Sequence, residues 1–376
     1  MRIGILTLPL HTNYGGVLQA YALQTVLERM GHKVVVFDTS NKYSLPPLWK
    51  LPISLAKRLL LKCMGRIDRI FIERYNNRVQ PVITKEIQLF VDSKIHRKII
   101  SKFSRIKANE FDAIVVGSDQ VWRSDYFLSW NCQSIENAYL SFAKKWSINR
   151  IAYATSFGLD SWGYNEKQTE QCRQLLKKFD AVSVREDSAV KLCKQYFDVD
   201  ALHVLDPTML LDANDYIMLF EQKQTPKSKG TLLNYVLDET EEIRKIINLI
   251  ASKKSMVPFA VNNPYAGDDT KPLGQRIKPS IETWLRGFYD ADFVITDSFH
   301  ACVFSIIFKK QFVVVGNKKR GMSRFESLLK MFDLEDRLVD EKIDLEKLKL
   351  IDFQEVYRKF DALKHKSMTF LYQNLK

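Results

Sequence analysis

The sequence is poor in the residues that build disulfide frameworks and metal sites. Its five cysteines are odd in number and scattered, and no two of them have CxxC spacing. The six histidines are equally dispersed along the chain. Because neither a disulfide framework nor a zinc site fits these spacings, we expect no bound metal.

Long apolar runs and a dinucleotide fingerprint are also missing. No uncharged apolar run approaches the roughly 20 residues that a membrane-spanning helix needs. The apolar residues 3–8 lack the small-residue cleavage site of a secretory signal, so we expect a first strand here and a cytoplasmic protein. Gly15 and Gly16 follow this strand without completing a GxGxxG pattern, which argues against a nicotinamide cofactor.

Positive charge is concentrated in one segment. The formal net charge is +13, and residues 50–107 hold 15 basic and 4 acidic residues, so they account for 11 of these charges. This distribution favours an anionic partner for the segment over a generally basic protein. On a helical wheel, residues 57–71 separate apolar from basic side chains, a pattern that fits both a core-packed helix and a helix lying on an anionic membrane surface.

The order of predicted elements indicates an α/β protein with two domains. Apolar strand-like runs alternate with amphipathic helical segments in both halves, which is typical of mostly parallel, doubly wound sheets. We predict a first Rossmann-like domain over 1–220 with a basic helical insertion at 42–110, a polar linker at 221–230 and a second Rossmann-like domain over 231–343. The two domains would face each other across a cleft, and a helical tail over 344–376 would pack on the first domain.

The most informative motif lies between an apolar strand and an apolar helix, at residues 296–300. In open α/β sheets, ligands bind at the turn that follows a parallel strand. Asp297 or Ser298 can be explained as a helix cap, with His300 merely packed beside it. A cap does not account for a histidine next to both residues, so a functional site stays open as the second interpretation.

Two other strand ends carry residues suited to ligands. Gly15 and Gly16 have the small size that lets backbone amides approach a phosphate, although a simple tight turn is the more common explanation of such a pair. Asp119, Gln120 and Trp122 follow a further strand. Capping and core packing account for them, while a carboxylate, an amide and an indole could also hold a sugar.

Arg185 ends a predicted buried strand, which is a costly place for a guanidinium group. A bidentate clamp on a phosphate or carboxylate would explain it. So would an internal ion pair with Glu186, Asp187 or Asp206. A second set of cations, at 318–324, follows the next strand after His300, and we expect it to reach the same crevice.

In combination these motifs resemble the polysaccharide pyruvyl transferase family. The resemblance extends in order over about 310 residues. It rests on NYGG (13–16), LQAYALQ (18–24), GSDQVW (117–122), YATSFG (153–158), SVRE (183–186), LDPT (205–208), TDSFH (296–300) and SR (323–324).

The resemblance implies a fold similar to the two-domain GT-B arrangement of glycosyltransferases. It also implies transfer of a unit from phosphoenolpyruvate, a co-substrate rather than a cofactor, to two hydroxyls of a sugar, with formation of a pyruvate ketal and release of phosphate. His300 would be the acid/base or the donor-phosphate ligand, with Asp297 as a second catalytic candidate, and Arg185 would hold the donor. The expected acceptor-binding residues are Asn13, Tyr14, Gly15, Gly16, Asp119, Gln120 and Trp122.

The chain departs from the family at one position. Many members have Arg-Leu-His where this chain has Ser298-Phe299-His300, so a donor-binding arginine is missing at position 298. Either Arg320 or Arg324 replaces it, or the donor is held differently, or the donor is another compound. The expected donor-binding residues are therefore Arg185, Ser298, Lys319, Arg320 and Arg324.

The resemblance also bears on partners. The family's acceptors are often built on a polyprenyl diphosphate, so we expect a lipid-linked sugar acceptor and a peripheral position on the cytoplasmic face of the membrane, with residues 57–107 against anionic lipid. A glycosyltransferase that uses a nucleotide sugar is the main alternative. Nucleic-acid binding is not expected, because the basic segment lacks interleaved aromatic residues and because it would leave the strand-end motifs unexplained.

Overall fold

The computed structural model describes residues 1–39, 43, 45–129, 134–316, 321–340, 343–344 and 346–376. These residues form two α/β domains, each built around one parallel sheet. The predicted fold class, two Rossmann-like domains in a GT-B-like arrangement, is confirmed.

The first domain contains a seven-stranded sheet. Its strands are β1 (Arg2–Leu6), β2 (Lys33–Thr39), β3 (Arg97–Ile100), β4 (Ala113–Val116), β5 (Asn149–Thr155), β6 (Ala181–Val184) and β7 (Leu202–His203). They lie in the order β3-β2-β1-β4-β5-β6-β7, and all neighbours are parallel. The direction of strand addition reverses between β1 and β4, the point at which a ligand crevice forms in such sheets.

The second domain contains a five-stranded parallel sheet. Its strands are β8 (Leu232–Tyr235), β9 (Pro258–Phe259), β10 (Phe293–Thr296), β11 (Gln311–Val315) and β12 (Leu338–Val339). Their order is β12-β11-β10-β8-β9, so the reversal falls between β8 and β10. The motif at 296–300 follows β10 and therefore lies at this second reversal.

Helices cover both sheets. The α-helices are α1 (Tyr14–Arg29), α2 (Leu51–Cys63), α3 (Ile72–Ile83), α4 (Lys85–Lys94), α5 (Ser124–Ser129), α6 (Glu166–Leu176), α7 (Asp187–Leu192), α8 (Ala213–Gln222), α9 (Glu241–Lys253), α10 (Ile281–Asp290), α11 (Phe299–Ile307), α12 (Ser323–Met331) and α13 (Phe353–Asn374). Short 3₁₀ segments lie at Phe103–Arg105, Ala108–Glu110, Ile135–Tyr139, Ser141–Ala143, Pro207–Met209, Leu273–Arg276 and Glu335–Arg337, and a π-helical turn follows α7 at Cys193–Phe197.

Local sequence explains the main boundaries. Strands β4 and β10 are buried along their whole length, as expected for apolar runs covered by helices on both faces. Helix α1 ends where Gly31 takes the left-handed φ of +89°. Helix α10 begins after Ser280, whose hydroxyl accepts from the Thr283 amide at 3.2 Å. One continuous apolar cluster contains residues of both domains, including Leu23, Trp284 and Phe304, so the domains share a core.

The basic segment 42–110 is only partly an insertion. Helices α2 and α3 form an excursion beyond the sheet, but α4 and β3 complete a regular unit in which β3 pairs in parallel with β2. This edge strand was not predicted from the sequence, because β3 begins with the charged residues Arg97 and Lys98, which are typical of sheet edges. The predicted helix over 57–71 is also wrong in its second half, since α2 ends at Cys63 and Gly65 has a φ of +67°.

Helix α13 contacts both domains. The Leu205 amide donates to Ser367 Oγ at 3.0 Å, and the rings of Tyr153 and Phe370 lie 6.1 Å apart. At the other end of the helix, Tyr357 Oη donates to the Ile307 carbonyl at 2.7 Å. Among the described residues, no helix is both long and apolar enough to cross a membrane.

Candidate functional site

A cleft of about 610 Å³ lies between the two domains. It is lined by the residues that follow β1, β4, β8 and β10, which are the four strands at the two reversals of strand order. Its lining residues with polar or small side chains include His11, Asn13, Gly15, Gly16, Asp119, Gln120, Asn262, Asn263, Lys278, Ser298 and His300. The strand-end motifs of both domains are thus brought to one place.

His300 joins the two domains at the floor of this cleft. It is the second residue of α11 and is 6% exposed. A Cβ atom at Gly15, in the first turn of α1, would lie 2.1 Å from both Cγ and Nδ1 of its ring. Only glycine leaves room for the imidazole here, which gives Gly15 a role beyond a tight turn.

Asp206 is the centre of a buried polar network next to His300. Its Oδ2 accepts from Arg185 Nη1 at 2.8 Å and from Ser118 Oγ at 3.0 Å, and it lies 3.7 Å from His300 Nε2. Its Oδ1 accepts from the amide and hydroxyl of Thr208. Burial alone would raise the pKa of Asp206, but His300 and Arg185 hold that pKa below its usual value. The carboxylate is therefore ionised and positioned against the imidazole.

Arg185 and Arg324 lie on the ring of Phe299, the residue that precedes His300. The guanidinium carbons are 4.4 Å and 5.8 Å from the ring centroid. Burial, together with the positive charge of Arg185, lowers the pKa of Arg324 to about 10. In the described part of the chain, Nε and Nη2 of Arg185 donate no hydrogen bond, although Nη2 is 3.8 Å from Asp119 Oδ1. Two buried cations thus lie close together next to His300.

The internal ion pair weighed for Arg185 is present, with Asp206 as the partner. Nε and Nη2 of the guanidinium are buried, and Arg185 is 2% exposed and does not line the cleft. The contacts therefore show the ion pair, and the clamp stays a prediction. The cations at 318–324 are expected to reach the crevice beside His300. Of these, Arg324 lies in the first turn of α12, is buried, and lies over the ring of Phe299. Lys319 and Arg320 lie outside the described residues.

Asp119 and Gln120 follow β4 and line the cleft. Asp119 has a φ of +68°, a left-handed conformation that is uncommon outside glycine. Its Oδ1 accepts from the Gln120 amide at 2.9 Å and its Oδ2 from Asn13 Nδ2 at 3.4 Å. Gln120 packs on Gly158, where a Cβ would lie 2.0 Å from Gln120 Oε1.

Glu186 shapes the loop after β5. It is fully buried, and its Oε1 accepts from Ser156 Oγ and from the amides of Phe157 and Gly158 at 2.9–3.2 Å. The carbonyl of Gly158 meets Gly321 of the second domain so closely that a Cβ at Gly321 would lie 2.1 Å from it. Glu186 therefore supports a second close contact between the domains.

Two predicted site residues lie elsewhere. Trp122 is fully buried, stacks on Tyr139 at 5.0 Å and donates from Nε1 to the Ala138 carbonyl, so it belongs to the aromatic core of the first domain and does not reach an acceptor. Asp297 accepts from the amides of Leu237 and Asp238 at 2.7 Å and 3.0 Å. It lines a separate, acidic cavity of about 880 Å³ within the second domain.

Tyr14 lines the cleft, but its side chain mainly joins the domains. Its hydroxyl donates to the Pro279 carbonyl at 2.8 Å and its ring stacks on Trp284 at 5.8 Å. Burial raises its pKa well above the usual value, so the hydroxyl stays protonated.

Sequence reasoning missed three residues of the cleft region. Asp206 is the second residue of the LDPT motif and lies just after β7, and the strand-end criterion applied to Asp119 would have identified it as more than an ion-pair partner of Arg185. His11 follows β1 in the same way. Lys278 lies ahead of α10, donates from Nζ to the Thr12 carbonyl at 3.2 Å and lines the cleft, yet nothing in its neighbourhood marks it. In the described ranges, no group of three or more His, Cys, Asp or Glu side chains could hold a metal ion.

The sheets and the cleft between them define a two-domain α/β protein of the GT-B type. The sequence profile of the polysaccharide pyruvyl transferase family matches residues 13–319, and the chain belongs to this family. The resemblance noted from the motifs is thereby confirmed. No curated protein matches the chain.

Two solved structures are similar to the chain over nearly its whole length. The UDP-GlcNAc 2-epimerase from Methanocaldococcus jannaschii is 11% identical with a TM-score of 0.46, and the match covers 97% of this chain and 93% of that chain. UGT2 from Phytolacca americana, complexed with UDP-2-fluoro-glucose and pterostilbene, is 9% identical with a TM-score of 0.49, and the match covers 99% and 98% of the two chains.

Proposed function

We propose that the protein transfers a pyruvyl group from phosphoenolpyruvate to a sugar of a polysaccharide or glycan precursor. Two sugar hydroxyl oxygens bond to C2 of the donor, and the bond from C2 to the phosphate oxygen breaks. One hydroxyl proton ends on the methylene carbon, which becomes a methyl group, and the other leaves with phosphate. The products are a cyclic pyruvate ketal and inorganic phosphate. Membership of the family supports pyruvyl transfer.

The observation that carries the proposal is the pair of buried arginines beside His300. Phosphoenolpyruvate has a tetrahedral phosphate and a planar carboxylate. A guanidinium group can bind either anion through two hydrogen bonds. An anion placed between Arg185 and Arg324 would offset the repulsion that contributes to the lowered pKa of Arg324. Arg324 is therefore our candidate for the cation that replaces the arginine missing at Ser298.

His300 is the proposed acid/base. His300 lines the cleft, and in the described part of the chain its buried Nε2 makes no hydrogen bond. The ionised Asp206, 3.7 Å from Nε2, would stabilise the positive charge that the ring acquires when it takes a hydroxyl proton. Arg185 and Asp206 would then act as one unit, since the same carboxylate oxygen contacts both the arginine and the histidine.

Asp297 receives a different role in this proposal from the catalytic one first expected. Its two bonds to backbone amides fix the loop after β8 against the turn that carries His300. The acceptor would lie on the other wall of the cleft, where Asn13, Asp119 and Gln120 present amide and carboxylate groups suited to sugar hydroxyls. We propose a lipid-linked acceptor, used at the cytoplasmic face of the membrane, on the basis of the family.

Product analysis tests the proposal. The purified protein is incubated with phosphoenolpyruvate and a panel of lipid-linked and nitrophenyl sugars. Phosphate release is followed, and the mass of the sugar product is measured by mass spectrometry. We expect phosphate and a pyruvylated sugar with the native protein, roughly 100-fold less with His300→Gln, and no change with His365→Gln, an exposed histidine on α13. Release of a nucleotide from a nucleotide sugar, with no phosphate from phosphoenolpyruvate, would instead establish the glycosyltransferase alternative.

A further inference from the structure

Helix α2 carries its apolar side chains outward. None of its 13 residues is buried. Ile53, Leu59 and Leu60 are 74%, 54% and 62% exposed, and on the helical wheel they fall within about 120° of one another. A helix that packs on a protein core shows the opposite arrangement, so this apolar stripe has no partner among the described residues.

The exposed apolar surface continues beyond both ends of the helix. Leu48 and Trp49 precede it with 86% and 73% exposure, and Met64 follows it with 53%. Together with Ile53, Leu59 and Leu60 these residues form what we call the α2 face. Contiguous exposed apolar surface of this kind marks an interaction site rather than ordinary surface variation.

Basic residues border the α2 face on both sides. Lys57 and Lys62 lie at opposite edges of the apolar stripe and are exposed. Lys50 lies over the ring of Trp49 at 4.5 Å, and Arg66 follows Met64. The sequence has no acidic residue between positions 45 and 67. The partner of the α2 face must therefore accept apolar side chains at the centre and supply negative charge at the rim.

Polar contacts hold the helix in this orientation. On the inner side of α2, Arg58 forms an ion pair with Glu73 of α3 at 2.6 Å. Helix α3 and the loop before it are in turn fixed to the second domain, because Arg69 and Tyr75 both contact Asp269 at 2.6–2.8 Å. The apolar face thus points outward from a helix that is anchored on its charged side.

We propose that the α2 face docks on an anionic lipid membrane. Leucine, isoleucine and tryptophan side chains would enter the boundary between headgroups and acyl chains, while the flanking lysines contact anionic headgroups. Two other partners fit the α2 face less well. A second copy of the chain would bring like-charged lysines together, and a nucleic acid would leave the apolar side chains at the centre exposed to water. The proposal rests on the exposed helix and stands apart from the proposed function.

Helix α2 belongs to a part of the first domain that also lines the interdomain cleft. Tyr43, Gln80 and Ile83 belong to the same excursion as α2, and all three line the interdomain cleft. A protein bound through α2 would therefore hold the cleft next to the membrane surface. This arrangement fits an acceptor that is itself anchored in lipid, so it would deepen the proposed function if both hold.

Vesicle flotation tests the proposal with the full chain. Vesicles of phosphatidylcholine alone are compared with vesicles of equal parts phosphatidylcholine and phosphatidylglycerol at low salt. We expect binding only to the anionic vesicles. Lys57→Glu/Lys62→Glu should weaken this binding by roughly 30-fold or more, since each basic residue near the surface contributes about a factor of five. Ile53→Ser/Leu60→Ser, which keeps the charge, should also weaken it.

A matched control separates docking from general attraction of a basic protein. Lys145→Glu/Lys167→Glu makes the same change of charge at exposed positions of the first domain away from α2, and it should leave binding nearly unchanged. Three results would overturn the proposal. The two charge variants could lose vesicle binding equally, the native protein could fail to bind, or Ile53→Ser/Leu60→Ser could bind with unaltered affinity. A dimer, or tight binding to duplex DNA, that depends on the α2 face in place of vesicle binding would also overturn it. Circular dichroism checks that each variant is folded, and phosphate release tests the proposed function separately.

Discussion

Gly15 and His300 belong to different domains, and yet the imidazole ring occupies the space where any side chain at position 15 would begin. A Cβ at Gly15 would lie 2.1 Å from His300 Nδ1 and Cγ. The ring extends from the first turn of α11 and packs against the first turn of α1. The position of the proposed acid/base is thus determined by both domains at once.

Gly15→Ala should therefore impair catalysis more than it impairs folding. The added methyl group must displace the His300 ring or separate the domains, and a displacement of about 1 Å can cost roughly 100-fold in kcat/KM. Overpacking of this kind lowers the free energy of unfolding by roughly 1–3 kcal/mol. Pyruvyl transfer kinetics and denaturant unfolding measure the two effects.

Gly267→Ala is the matched control for this substitution. Gly267 lines the same cleft, but a Cβ there meets nothing within 4 Å. Its kinetics should stay close to those of the native protein. If Gly15→Ala were equally harmless, the packing of His300 on Gly15 would have no part in the activity.

The sequence predicted both domains and most strand ends, because alternating apolar patterns and polar residues after strands are local features. It did not show β3, whose charged residues look like part of an insertion, and it gave α2 too many residues. It also placed Trp122 in the acceptor site, although this residue, two positions after the cleft-lining Gln120, packs in the core. Lys278 was missed because only the packing of the second domain on the first brings it to the cleft.

Asp206→Asn should change both activity and acid sensitivity. The substitution removes the charge that pairs with Arg185, and breaking a buried ion pair in this way costs roughly 3–5 kcal/mol of unfolding free energy. Because His300 and Arg185 lower the folded-state pKa of Asp206, its carboxylate adds stability above the ordinary pKa of 3.8, and that contribution is lost as the pH falls through the folded-state value. The native protein should thus lose more stability below about pH 4 than the variant does.

Denaturant unfolding over a series of pH values measures this difference. Asp160→Asn, at an exposed aspartate, serves as the control and should keep the native profile. An Asp206→Asn variant whose stability fell as steeply in acid as that of the native protein would show that this carboxylate is not held ionised by its neighbours.

His11 should cause a second pH dependence of the unfolding free energy, at higher pH than that of Asp206. Burial, with a further contribution from the cation of Lys278, lowers the pKa of His11 from 6.5 to about 4. Between these values the unfolded chain binds the proton more readily, so stability should fall as the pH drops from 6.5 to 4, by up to about 3 kcal/mol. His11→Gln should flatten the stability profile in this window, whereas His365→Gln should not, and identical profiles for all three proteins would contradict the prediction.

Substitutions of Trp122 test whether this residue belongs to the core of the first domain or to the acceptor site. Its ring is buried against Tyr139, so Trp122→Ala should lower the free energy of unfolding by roughly 3–5 kcal/mol. Trp122→Phe keeps an aromatic ring in the core and should leave the apparent KM for the acceptor near the native value. A large rise in that KM, with stability retained, would return Trp122 to the acceptor site.

Arg324 decides how the donor is held in a chain that has serine at position 298. If Arg324 binds the donor anion together with Arg185, Arg324→Ala should raise the apparent KM for phosphoenolpyruvate by roughly 10–100-fold, the range expected for a lost charge-assisted hydrogen bond. Arg324→Lys should restore only part of the affinity, since a lysine cannot form the two parallel hydrogen bonds of a guanidinium group. The KM for the acceptor should change little in either variant. Arg320→Ala is measured beside them as the other candidate. Unchanged donor kinetics in both alanine variants would mean that neither residue replaces the missing arginine, whereas a change confined to Arg320→Ala would move the donor site to the segment before α12.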